Sequence, residues 1–94
     1  MSVTRNSAET LALTALAWLV GDEEMLSIFL GSTGAAADEL SLRARDPQFL
    51  GSVLDFLLMD DAWVVAFCDN AGVSYDQPMQ ARAALPGGEA VHWT

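Results

Sequence analysis

The sequence holds no lysine, one cysteine and one histidine among its 94 residues, and each scarcity closes off a class of function. Without lysine, the basic side chains are Arg5, Arg43, Arg45 and Arg82, set against thirteen acids for a formal net charge of −9. A surface of that sign repels nucleic acid phosphates and anionic lipid, and it favours cationic partners or simple solubility. The lone Cys68 cannot close an internal disulfide and fits a reducing compartment, so a cytoplasmic protein is expected. The lone His92 follows Pro86-Gly87-Gly88 in a terminal segment, where a tail residue is expected rather than a catalytic base. No apolar run reaches the roughly 18 residues that span a bilayer. The opening segment "MSVTRNSAETLALTALAWLVGDEE" has no small-x-small cleavage site, and it reads as a native first helix rather than a secretory signal.

What the chain does have is apolar periodicity. It is 52% hydrophobic, with apolar residues recurring at three- and four-residue spacing and no alternating segment or Asn-Gly hairpin signal. These features predict an all-α fold, a compact bundle of about six short helices in a single domain, 1–94. Asn6 and Glu9 resemble a capping box opening a helix over 7–20. Asp22 caps a second over 23–31, closed by Gly31 to Gly34. A third runs over about 36–45 with Leu40 and Leu42 turned inward. Asp46 and Pro47 open a fourth over 47–59, apolar around most of its circumference apart from Asp55 and therefore central. Asp60 opens a fifth over 61–71, stopped by Gly72. Asp76 opens a sixth over 77–85, with Met79 and Leu85 as its buried side, before an irregular tail over 86–94.

The chain also matches itself at an offset of 38 residues. Leu16, Leu19, Asp22, Phe29, Gly34 and Asp38 fall on Leu54, Leu57, Asp60, Phe67, Gly72 and Asp76. The expectation is an internal repeat, 11–46 and 49–84, giving two similar three-helix halves in a pseudo-twofold relation.

The segments "AETLALTALAWLVGDEEML…F", "DPQFLGSVLDFLLMDDAWVVAFCDNAG" and "ARAALPGG" resemble the alphaproteobacterial domain-of-unknown-function family 3572, over about residues 8 to 88. That resemblance implies an all-helical bacterial protein of unknown activity, with no catalytic residue to carry over.

Function is therefore weighed on the residues. "CDNAGVSYDQPMQARAAL" has the layout of a helix-turn-helix, with Gln77 and Gln80 able to address base edges. A DNA reader needs about 6 to 10 phosphate anchors, and this stretch offers Arg82 alone beside Asp69 and Asp76. No nucleic acid is expected as a partner. The groups Asp22-Glu23-Glu24 and Asp60-Asp61 suit helix starts, and no metal-ligand spacing accompanies them, so neither metal nor cofactor is expected. Cys68 lies in an apolar helix with no cation near it in sequence to lower its pKa. No enzyme is expected.

The remaining feature is aromatic: Trp18, Trp63 and Trp93 with Phe29, Phe49, Phe56 and Phe67. These rings either fill the core or line an exposed groove whose acidic rim would select a basic partner. The reading is a non-enzymatic protein–protein interaction module, meeting an unknown protein partner or forming a homodimer, with Trp18, Trp63 and Trp93 as candidate contacts. The alternative is a carrier of a small apolar ligand in the bundle interior.

Overall fold

The structure, a computed structural model, describes residues 4–86. In chain order its elements are α1 (Arg5–Val20), α2 (Glu23–Thr33), a 3₁₀ turn (Ala37–Glu39) running into α3 (Leu40–Arg43), α4 (Pro47–Leu58), α5 (Asp61–Ala71) and α6 (Gln77–Ala83). Among the described residues all regular structure is helical, as the periodicity predicts. Trp93, His92 and the tail beyond Pro86 lie outside the described residues.

Short oxygen-bearing side chains set most of the helix starts by accepting from backbone N–H groups that have no partner in the first turn. Asp22 Oδ1 accepts from the amides of Glu24 at 3.0 Å and Met25 at 3.2 Å. Asp46 and Asp60 do the same for Gln48 at 3.0 Å and Ala62 at 2.9 Å. The first helix departs from expectation. Its cap is Thr4, whose Oγ1 accepts from Ser7 N at 3.1 Å, so Asn6 is already inside the helix and Glu9 pairs with Arg5 at 3.2 Å instead of reaching back. At Asp76 the carboxylate accepts from the Ser74 hydroxyl and the Gln80 amide rather than from a backbone N–H.

Two helices stop where a left-handed residue is needed. Gly34 has φ 76° and Gly72 φ 74°, and each donates its N–H back to a carbonyl of the last turn. Side chains rarely adopt that backbone region, and glycine enters it freely. Gly31 does not stop α2, which runs on to Thr33.

The core sits where α1, α4 and α6 pack on one another, with α2 laid on α1 and α4, and α5 laid on α4 and α1. Helix α4 buries Phe49, Leu50, Gly51, Val53, Leu54, Phe56 and Leu57, the widest buried surface of any element, and is the central helix. Two inward expectations are corrected, Leu42 at 68% and Met79 at 62% exposure, and Met59, at 70%, falls just outside the fourth helix. The α3 helix is a single turn whose one buried residue is Leu40, and α6 presents Pro78 and Ala81 to the core, followed by Leu85.

A polar clasp ties α6 to α4 at the edge of this core. The Arg82 side chain, 18% exposed, passes over Gly51 to donate to Asp55 Oδ1 at 2.6 Å and to the Pro86 carbonyl at 3.0 Å. A Cβ on residue 51 would stand 2.8 Å from Arg82 Nη1. The glycine therefore gives the guanidinium its route across α4.

Candidate functional site

The outward side of α4 forms the floor and one wall of an open groove of about 460 Å³. Gln48, Ser52, Asp55 and Met59 recur at helical spacing along its edge, and Phe49 and Phe56, one i,i+7 pair, underlie its floor with only 5% and 2% of their surface exposed. Ser32 and Thr33 from the end of α2 form the opposite wall, while Arg43 and Asp46 close the end near the α4 N-terminus. From Gln48 to Met59 the groove follows about 16 Å of helix.

The floor is rigid because its rings are held from beneath. Phe29, fully buried on α2, meets Phe49 edge-on at 5.9 Å and Phe56 edge-on at 5.2 Å. Trp63 stacks on the far side of Phe56 at 4.8 Å. Edge-to-face and offset rings at these separations add about 0.5–1.5 kcal/mol per pair beyond area burial. Over Phe49 the Arg43 guanidinium carbon lies 5.5 Å from the ring centroid, within cation–π range. That arginine is only loosely tied to Glu39, at 3.8 Å.

Two of the groove's three hydroxyls have already placed their protons. Ser52 Oγ donates to the Phe49 carbonyl at 2.6 Å and Thr33 Oγ1 to the Phe29 carbonyl at 2.9 Å. What remains free along the wall is acceptor capacity, on these oxygens and on the carboxylates of Asp46 and Asp55. A surface of that kind receives donors and cations. It holds no nucleophile with an adjacent base, the pairing that covalent catalysis uses.

The family comparison adds one result. A model of the family described as "Protein of unknown function (DUF3572)" matches residues 5–88. The chain belongs to this family. No curated protein and no solved structure matches it. The match spans every helix from α1 to α6, so in this DUF3572 protein both the groove and the clasp are built within the family segment.

Of the tryptophans named as candidate contacts, Trp18 and Trp63 pack on different rings. Trp18 is half-buried on α1, edge-on to Phe67 of α5 at 5.8 Å. Trp63 is half-buried on α5 and reaches the groove only through Phe56. Both pack against the core. The groove's own polar residues, Ser32, Thr33, Gln48 and Ser52, were not singled out in the sequence, since none belongs to a motif and they come from two helices. Two members of the Gln77, Gln80 and Arg82 face are engaged internally, Gln80 donating to Asp76 at 2.9 Å and Arg82 held in the clasp.

Cys68 of the DUF3572 protein is buried, with its Sγ 3.6 Å from the Ser74 carbonyl. Burial pushes its thiol above the ordinary 9.0, and the charges of Asp69 and Asp76 push the same way. Tyr75 is raised above 10.0 chiefly by the hydrogen bond it donates to Asp69, at 2.7 Å. In both cases the folded state holds the proton more tightly than the unfolded chain does. The stabilisation is therefore complete below the unfolded values and is lost as pH rises through the folded ones. The urea midpoint of the wild type is expected to fall from pH 9 upward, and Cys68→Ala to flatten that decline. Equal slopes in the two proteins would remove Cys68 as its source.

Proposed function

We propose that this DUF3572 protein is a small non-enzymatic interaction module, and that its α4 groove takes a cationic segment of a partner protein. The observation that carries the reading is the groove itself: a wall that keeps acceptor capacity on the second carboxylate oxygens of Asp46 and Asp55, beside the exposed side chain of Met59. The net charge of −9 would draw a basic segment toward it from a distance, and Met59 would pack that segment's aliphatic stems while the carboxylate oxygens receive its donors.

The same features weigh against the other readings. A carrier needs an enclosed chamber, and this volume is open. A DNA reader needs free cations, and Arg82 is spent on Asp55 and Pro86. The proposed setting is the cytoplasm, in keeping with a buried unpaired cysteine.

The test is photo-crosslinking in the native cell from an unnatural side chain at Ser52, with Asn70 on α5 as the control position. The expected product is a discrete adduct from position 52 whose linked peptide is rich in arginine or lysine. Ser52→Arg, which places a cation in the groove, should abolish binding of that peptide while the protein stays folded. Equal adducts from both positions, or a linked peptide without basic residues, would defeat the proposal.

A further inference from the structure

A second surface, on α1 and sharing no residue with the groove, points to self-association. Between Glu9 and Asp22 the chain carries no charged residue, a run of twelve positions in a protein of net charge −9. That run is most of α1. Its inward side is buried against the core, and Thr10, Leu13, Thr14, Ala17 and Val20 share an exposed face, with Leu13 at 43% and Val20 at 45% exposure. Covering this face would strand no donor. Thr10 Oγ1 already donates to the Asn6 carbonyl at 3.0 Å and Thr14 Oγ1 to the Thr10 carbonyl at 2.9 Å. Thr10, Thr14 and Ala17 are also small, so another helix can approach closely along them.

One end of the face is acidic, and the other carries Arg5, which shares its charge with Glu9 of the same helix at 3.2 Å. Arg5 stands in the first turn of α1, its side chain 58% exposed, while Asp22, Glu23 and Glu24 stand exposed just past the last turn. We propose that a second copy of this chain docks on this face, with the two α1 helices antiparallel about a twofold axis between Leu13 and Thr14. Residue i then faces residue 27 − i of the other copy. Thr10 meets Ala17, Leu13 meets Thr14, and Arg5 meets the acids that begin at Asp22, twice over by symmetry. A parallel arrangement would set Arg5 on Arg5 and acid on acid. Elsewhere two copies of so acidic a chain would meet charge to charge, so a neutral face is the place where self-contact costs least.

One helix face buries less than the roughly 800 Å² per partner of a standard stable interface, so the dimer is expected to be weak and concentration-dependent. The test is sedimentation of the full chain over about 10 to 500 µM, a range suited to dissociation constants at the weak end of the affinity scale. The weight-average mass should climb from 10.0 kDa toward twice that value. Ala17→Glu, at an exposed position, should hold it at the monomer while leaving the circular dichroism unchanged. Arg5→Glu should weaken association about tenfold, the equivalent of about 1.4 kcal/mol, and adding Glu23→Arg and Glu24→Arg should restore it. A monomer at every concentration, or a dimer indifferent to Ala17→Glu, overturns the proposal; failure of the charge swap to restore association overturns the antiparallel pairing. Ser52→Arg should leave the mass curve unmoved, so this surface and the groove can fail independently.

Discussion

Phe29→Ala is expected to lower the unfolding free energy by about 3–5 kcal/mol. Phe29 is completely buried, and its ring supports both rings of the groove floor, Phe49 at 5.9 Å and Phe56 at 5.2 Å. Removing it deletes the transfer energy of a phenyl group, two edge-to-face contacts, and the support that keeps Phe56 seated against Trp63. A domain of this size has about 5–14 kcal/mol of stability in all, and each kcal/mol shifts its melting point by about 4–8 °C. A fall of at least 12 °C is therefore expected by circular dichroism. Phe29→Leu, which refills most of the volume, should lose less than half as much. Ile28→Ala, one residue away at a site 44% exposed, should cost under about 1 kcal/mol. If Phe29→Ala and Ile28→Ala melted together, the aromatic floor would not be the rigid element the groove requires.

The contrast between Phe29 and Ile28 also marks how far sequence reasoning reached. Helix order and most boundaries were legible because they rest on local chemistry. An aspartate before an apolar run accepts from free amides whatever lies beyond it, so Asp22, Asp46 and Asp60 cap as expected, and Gly72 stops α5 in the left-handed region. The central place of α4 was legible because its apolar residues surround the axis. Orientation failed where an element is too short to define a face. Leu42 lies in a four-residue helix, and one turn has no periodicity to read. Met79 failed because Pro78 and Ala81, less apolar by composition, sit nearer the helices that α6 packs on. The 38-residue self-match places Gly34 and Gly72 in equivalent stops, yet Asp38 falls inside a 3₁₀ turn while Asp76 precedes α6. Nothing local could reveal the groove or the clasp. Arg82 and Asp55 stand 27 residues apart, and their meeting depends on the absence of a side chain at Gly51.

Which residues of α1 make the core is hard to read from apolar size alone, and this leads to the second strong prediction. Counting large apolar side chains favours Leu13, which is 43% exposed, and passes over Ala8, Ala12 and Ala15, each fully buried. Alanine buries little surface of its own, so it gives a weak sequence signal, but it lets two helix backbones come close. Helix α1 packs most closely on α4 and α6, and α6 presents Ala81, also fully buried. At such a seam the small side chain is a requirement of distance, since close-packed interiors have no void to receive three extra carbons. Ala12→Leu should therefore cost about 1–3 kcal/mol by forcing helices apart or side chains off their rotamers, although leucine is nearly as good a helix former as alanine. Leu13→Ala, the reverse exchange at the next position, should change stability by no more than about 0.5 kcal/mol at low protein concentration. Composition predicts the opposite order, since the first variant adds apolar surface and the second removes it. Urea denaturation of the two proteins decides between them: if Leu13→Ala proved the more damaging, α1 would be rotated about its axis relative to the core, and the neutral face proposed for self-association would be the buried one.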